Sequence, residues 1–272
     1  MAPTAAFAGS NLRSDIQRLE RETNVTIGVS AYGVKSHRRC EYRSTDLFPM
    51  CSLFKVLAVA ALLGSNAYDG DYWGRGIHFS PDDIVENSPI TSATTTWVMT
   101  PTELADAALR FSDNTAGNLL LRELGGPSQV TAFARSVGAF ETRLDRWEPA
   151  LNEATPGDRR DTSTPHDIAM LYRSILVDAK VGVLAQARLR EWMLRNTSSN
   201  ERIRAGIDGP FELADKTGAG HYGVVNDAGI LWRSAHQPVI LAILTRSETQ
   251  LAANNNAVVA QTARLVLQDF DR

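Results

Sequence analysis

Ser52 and Lys55 stand three residues apart at the head of an apolar run, Ser52 to Leu63, and pair a potential nucleophile with an amine. Helical positions three apart share a face, which would set the Lys55 ammonium beside the Ser52 hydroxyl. A hydroxyl at a helix N-terminus also receives the positive end of the peptide dipoles, and this lowers the cost of alkoxide character. Such a pair by itself is common on helix surfaces. Two features argue against a surface here. Lysine is scarce, with only Lys35, Lys55, Lys180 and Lys216, and the residues from Val56 to Leu63 are apolar on every face. The helix is therefore expected to be buried on most sides, where a lysine needs a partner or a task.

Three other groups could join that pair. Ser112-Asp113-Asn114 lies between the apolar segment Leu119 to Leu124 and a helix opened by Thr100, Pro101 and Glu103 at the spacing of a capping box. Ser, Asp and Asn all favour helix starts, so this triplet reads as a cap and turn as well as a site. Glu148-Pro149-Ala150-Leu151-Asn152 falls in a polar loop containing Pro and Gly. Lys216-Thr217-Gly218 falls on a segment that reads as a strand.

The elements that must hold these groups can be read from periodicity. Leu12 to Glu22 reads as an amphipathic helix, and Val25 to Tyr32 with Arg38 to Arg43 as a hairpin of strands. From Ser52 to Asn196 the pattern is almost wholly helical. Strand patterns return at Phe211 to Thr217, Val224 to Trp232 and Val239 to Thr245, before a last helix, Asn255 to Phe270. Strands at both ends with helices between predict a mixed α/β (α+β) fold: an antiparallel five-stranded sheet flanked by helices and built from both termini, with an inserted all-helical domain. The expected division is 1–51 with 198–272 for the sheet and 52–197 for the helices, the site lying on the seam.

Ser52 with Lys55, then Ser112 to Asn114, then Lys216 to Gly218, in that order, resembles the serine β-lactamases and penicillin-binding proteins. The Glu148 to Asn152 element narrows the resemblance to class A β-lactamases, and the likeness runs from Phe48-Pro49-Met50 to Asn226-Asp227. It implies a β-lactamase/transpeptidase-like fold and hydrolysis of the β-lactam amide of penicillins and cephalosporins, hence antibiotic resistance. Ser52 would attack to give an acyl-enzyme, with the N–H groups of Ser52 and Ala219 holding the oxyanion. Glu148, aided by Asn152, would activate the deacylating water, and Glu148 with Lys55 would serve acylation. A lysine must fall ~3 units to be a neutral base near pH 7, whereas a glutamate is already ionised there. Lys216 would lower the pKa of Lys55 and Glu148 would raise it, and the sequence leaves the net direction open. Ser112 would relay a proton to the leaving nitrogen and Asn114 would bind the substrate's side-chain amide.

Lys216 and Thr217 would bind the substrate carboxylate, and Gly218 would let the ligand approach the backbone. Many relatives place an arginine where this chain has Val225; Arg202 aligns with an arginine that replaces it in others, against the plainer reading of a solvated arginine. Arg146 and Asp161 resemble the ion pair that closes the family's Ω-shaped loop. Carbapenem-hydrolysing relatives carry a disulfide whose positions here are Cys51 and Gly220, so that bridge cannot form; Cys40 and Cys51 are expected to be buried free thiols. Ala219 leans the substrate range toward penicillins and early cephalosporins. His221 is expected at the cleft rim, and Asn87 where many relatives place an aromatic.

Composition bounds the rest. A formal net charge of -3 gives no footprint for nucleic acid. The longest apolar runs, Val56 to Leu63 and Val239 to Leu244, fall short of the ~20 residues that span a bilayer. His37, His78, His166, His221 and His236 are scattered, without the spacing of a zinc site, so neither metal nor cofactor is expected. Met1-Ala2-Pro3-Thr4 lacks a basic and apolar leader, and the resemblance implies a secreted or periplasmic enzyme whose leader has been removed. Partners are expected to be β-lactam substrates and β-lactamase inhibitors, acting on a monomer. A D,D-peptidase and a non-catalytic penicillin-binding sensor are the competing readings; Glu148 with Asn152 argues against the first, and the second is expected to need a membrane tether, for which these residues show no pattern.

Overall fold

Leu12, Ile16 and Leu19 recur at helical spacing, and all three are buried on one side of the first helix, α1 (Ser10–Thr23). A computed structural model of the protein describes residues 10–233 and 236–271; the opening residues Met1 to Thr4 lie outside them. The strands β1 (Thr26–Gly33) and β2 (Arg39–Tyr42) form the expected hairpin. A short strand β3 (Phe48–Pro49) then leads into α2 (Phe54–Asn66).

The middle of the chain carries α3 (Gly70–Gly74), β4 (Ile77–His78), β5 (Val98–Met99), α4 (Pro101–Arg110), α5 (Asn114–Leu124), α6 (Pro127–Ser136), β6 (Thr162–Ser163), α7 (Pro165–Leu176) and α8 (Val183–Leu194). The capping box at Thr100 and Glu103 is formed as its spacing predicts. The segment is less purely helical than its sequence suggests: β4 pairs with β5, and β6 reaches back to β3. Strands of two residues offer too little pattern to be read as periodicity.

The chain closes with β7 (Phe211–Ala219), β8 (Val225–Arg233), β9 (His236–Arg246) and α9 (Asn256–Phe270). Among the described residues these strands join the first hairpin in one antiparallel sheet, ordered β2-β1-β9-β8-β7. The two termini thus meet at the β1/β9 pairing, from Thr26 opposite Arg246 to Gly33 opposite Val239.

Both sheet faces are covered, which is why β9 reads as a continuous apolar run. Val239, Leu241 and Ile243 enter the core beneath α1 and α9, while Ile240, Ala242 and Leu244 enter the larger core with α2 and α7. Phe54 to Leu63 of α2 are all buried, as an all-apolar helix requires. Cys40 and Cys51 are buried free thiols. Burial pushes the Cys40 pKa up to about 12, which keeps it a thiol and unreactive. Among the described residues no helix is long and apolar enough to cross a membrane.

Candidate active site

A one-turn 3-10 helix, Cys51–Leu53, delivers Ser52 to the start of α2. Cys51 sits in the left-handed region at φ 48, backbone strain of the kind that clusters where a side chain must be aimed. Lys55, the second residue of α2, is fully buried. Its Nζ donates to Ser52 Oγ at 3.1 Å, to Ser112 O at 2.7 Å and to Asn114 Oδ1 at 2.7 Å, and lies 3.1 Å from Glu148 Oε1. The lysine that sequence marked as needing a partner has four.

Burial lowers the Lys55 pKa, and the Glu148 charge beside it opposes that shift. The net direction, which the sequence left open, is downward, and desolvation leads it because the side chain is out of water entirely. Burial also drives Lys216 well below the usual lysine range, with the charges of Lys55 and Arg202 adding to it. Gly117 on α5 makes room for the Lys55 stem, since a Cβ there would stand 2.8 Å from Lys55 Cε.

Glu148 arrives on the loop between α6 and β6. Ser52 Oγ lies 3.4 Å from Glu148 Oε1, and Asn152 Nδ2 donates to Glu148 Oε2. The other amide atom, Asn152 Oδ1, is buried without a partner among the described residues. Arg146 Nε meets Asp161 Oδ2 at 2.5 Å, and Asp161 Oδ1 accepts the N–H groups of Asp145 and Arg146. The loop is closed at its neck by the ion pair expected from sequence.

Asp113, buried between Ser112 and Asn114, caps α5 by accepting from Ala116 N and also gathers Ile90 N, Thr91 N and the Thr91 hydroxyl. The triplet is a helix cap and a site wall at once. Ser112 holds a left-handed conformation at φ 58, its carbonyl meeting Lys55 and its Oγ accepting from Lys216 Nζ at 2.9 Å. Asn114 spends Oδ1 on Lys55 and one amide hydrogen on Glu86 O, so it is held from both ends.

β7 brings Lys216, Thr217, Gly218 and Ala219 along the opposite wall, where it packs on the Cys51–Leu53 turn. Gly218 also serves the protein's own chain: a Cβ there would meet Met50 O at 3.0 Å and Cys51 Cβ at 3.3 Å. Val225 is a core residue of β8. Arg202 is buried, which overturns the reading of a solvated side chain. Its Nη1 donates to Gly218 O at 2.8 Å and Asn226 O at 2.7 Å, and its Nε to Asn256 Oδ1. A guanidinium with five N–H groups can tie two strands together and still line the cleft, which it does.

Ser52, Ser112, Asn114, Asn152, Arg202, Thr217, Gly218 and Ala219 share one cleft of about 720 Å³, with Lys55, Glu148 and Lys216 in hydrogen-bond contact with its wall. The candidate catalytic and substrate-binding residues are therefore all at one place. His221 and Asn87 are exposed on its rim. Gly220 faces Cys51, with a Cβ position 2.8 Å from Cys51 Sγ. Among the described residues no three His, Cys, Asp or Glu side chains gather as a metal site.

Sequence reading missed three supporting residues: Gly117, Asn118 and Ser198. Asn118 Nδ2 donates to Glu148 O and its Oδ1 accepts Glu148 N–H, and Ser198 Oγ lies 2.5 Å from Thr217 Oγ1. Asn118 stands one helical turn after Asn114, a polar side chain on the face that meets the loop, and that spacing is the signal that could have found it.

Residues 11–270 match the model of the Beta-lactamase enzyme family. A beta-lactamase of Streptomyces fradiae is 42% identical over 98% of this chain and 89% of its own. A carbapenem-hydrolyzing beta-lactamase KPC of Klebsiella oxytoca is 37% identical over 98% of this chain and 92% of its own. The solved structure of a beta-lactamase from Streptomyces albus G superposes with a TM-score of 0.93 at 41% identity, covering 95% of this chain and 99% of that one.

Proposed function

The chain belongs to the class A serine β-lactamases, hydrolases that confer β-lactam resistance, and on that premise we propose that it opens penicillins and cephalosporins through a Ser52 acyl-enzyme that a Glu148-activated water releases. The observation that carries the reading is the contact of Glu148 Oε1 with both Ser52 Oγ, at 3.4 Å, and Lys55 Nζ, at 3.1 Å. One water can reach the carboxylate and the ester at that separation.

In acylation Ser52 Oγ bonds to the lactam carbonyl carbon while its proton passes to Glu148, directly or through a water. Lys55, donating to Ser52 Oγ, stabilises the developing alkoxide and shares the proton transfer. The N–H groups of Ser52 and Ala219 hold the oxyanion. As the carbon–nitrogen bond breaks, the nitrogen takes the Ser112 proton, Ser112 Oγ recovers one from Lys216 Nζ, and the proton held by Glu148 passes by way of Lys55 and cleft water to Lys216, leaving Glu148 ionised for deacylation. Lys216 supports this step, because its N–H donation to Ser112 Oγ leaves the hydroxyl hydrogen for the leaving group.

In deacylation water bonds to the ester carbon, Glu148 takes one of its protons, and the bond to Ser52 Oγ breaks with return of a proton to that oxygen. Asn152 orients Glu148 and offers Oδ1 to the same water. Lys216, Thr217 and Arg202 bind the substrate carboxylate, Gly218 shapes the strand beside it, and Asn114 receives the side-chain amide. Residues 1–51 with 198–272 and residues 52–197 are the two units whose seam forms the cleft, although α7 of the second packs directly on the sheet. The enzyme acts as a monomer in the periplasm or outside the cell.

The test is Glu148→Ala with a penicillin, followed by intact-protein mass spectrometry. An adduct of the drug that persists while turnover collapses is expected. Rapid turnover with no trapped adduct would defeat the assignment. Turnover of a chromogenic cephalosporin by the unaltered protein separates the hydrolase from a peptidase or sensor that stays acylated.

A further inference from the structure

We propose that Ser198 is a positioning residue whose hydroxyl decides whether Thr217 offers the cleft a hydrogen or a lone pair. The proposal rests on the reading of Thr217 as a contact for the substrate carboxylate.

The direction of three hydrogen bonds follows from which atoms can only donate or only accept. Ser198 N–H, a donor without alternative, meets Asn196 Oδ1 at 3.0 Å, which orients the buried amide with its oxygen toward Ser198. The other end is consistent, since Asn196 Nδ2 donates to Asp215 Oδ2 at 3.1 Å. The Ser198 hydroxyl also lies 2.7 Å from Asn196 Oδ1. An amide oxygen only accepts, so Ser198 supplies that hydrogen. The remaining contact, 2.5 Å between Ser198 Oγ and Thr217 Oγ1, must then use the Thr217 hydrogen.

In this arrangement Thr217 thus turns its hydrogen toward Ser198 and presents lone pairs where a carboxylate would arrive. A carboxylate accepts only, so two acceptors would face each other. Relief needs no heavy atom to move. Thr217 rotates its hydrogen onto the carboxylate, and Ser198 rotates its own from Asn196 to Thr217. Asn196 Oδ1 keeps the Ser198 N–H. The result is a chain, Ser198 to Thr217 to carboxylate, in which each donation polarises the next. Ser198 and Thr217 both line the cleft, so the pair is placed to meet substrate. A hydroxyl serves as acceptor in one state and donor in the other by rotation alone.

The experiment is steady-state kinetics on a penicillin with Ser198→Ala, Ser198→Thr, Thr217→Val and the Ser198→Ala/Thr217→Val pair. Losing the polarising donor is expected to raise KM about three- to tenfold in Ser198→Ala while kcat stays within about twofold. Ser198→Thr, which keeps the hydroxyl, is expected to restore KM. Adding Ser198→Ala to Thr217→Val should change nothing further, because no hydroxyl remains to be oriented. An unchanged or lowered KM in Ser198→Ala, or an equal effect in the Thr217→Val background, overturns the proposal alone. An unchanged KM in Thr217→Val overturns the carboxylate reading beneath it and the proposal with it.

Discussion

Asn118 grips the main chain of Glu148 with both atoms of its amide: Nδ2 donates to the glutamate carbonyl and Oδ1 accepts its N–H, each at 2.9 Å. The proposed base is therefore held through its backbone by α5, while Asn152 and Lys55 hold its carboxylate. Asn118→Ala removes two hydrogen bonds, ~0.5–1.5 kcal/mol each. Turnover of a penicillin is expected to fall by about tenfold or more, with acyl-enzyme accumulating in mass spectra. Normal kcat with no accumulated adduct would show that the loop holds Glu148 without this clamp.

Asp161 is buried against Arg146 and also collects two backbone N–H groups at the neck of the loop. Asp161→Asn is expected to cost about 3 kcal/mol, toward the lower end for a broken buried pair, because Arg146 is partly exposed and keeps Glu153 at 2.6 Å. A Tm drop on the order of 6–10 °C and faster proteolysis between residues 146 and 161 would follow. Proteolysis and Tm both unmoved would sink this account of loop closure.

His166 Nδ1 lies 3.4 Å from Glu41 Oε1. The hydrogen bond to Glu41 raises the His166 pKa above its ordinary 6.5, against burial, with Glu41 and Asp167 charges helping and Arg39 opposing. The same contact lowers Glu41 below its ordinary 4.5, against burial. A raised histidine stabilises the fold fully below 6.5 and loses that contribution as pH climbs through its folded value. The lowered glutamate contributes above 4.5 and loses that as pH falls through its folded value. Their joint effect peaks between those limits. Both groups are partly in water, so it is small, ~0–1 kcal/mol. His166→Gln should lower Tm slightly within that window and not at all well above it. A Tm difference that persists unchanged at alkaline pH would contradict the pairing.

Lys216 carries its charge against burial and against the charges of Lys55 and Arg202, so it gives up its proton at a pH well below the usual for lysine. Its cationic form is lost as pH rises through that depressed value, and with it carboxylate binding. The alkaline limb of kcat/KM, which reports the free enzyme, is therefore expected to move to higher pH in Lys216→Arg, since arginine stays charged. A limb that stays in place would assign it to Lys55 instead.

How much of this was legible from the chain differs by residue. Lys55 stood out by type, a lysine entering an all-apolar helix, whereas Ser52, Ser112, Glu148 and Lys216 were named because the ordered set of motifs resembles the family. Asn118, Ser198 and Gly117 could not be named either way. An asparagine, a serine and a glycine suit ordinary helix and loop positions, and their roles depend on what the fold sets opposite them. Arg202 shows the converse. Its neighbours Glu201 and Arg204 left a solvated side chain open beside the anchoring role that the resemblance implies, and only the packing of β7 and β8 buries it against two carbonyls.

The amino-acid order determined the long helices and the strands of the main sheet, because hydrophobic period is a local property, and its ordered motifs pointed to the set of reactive side chains. Tertiary structure alone decided that Ser52 and Glu148, 96 residues apart, stand 3.4 Å from one another, that burial leads the lowering of the Lys55 pKa, and that Ser198 Oγ meets Thr217 Oγ1. Distance, desolvation and hydrogen bonding are here relations between atoms from separate elements, and they exist only once those elements have packed.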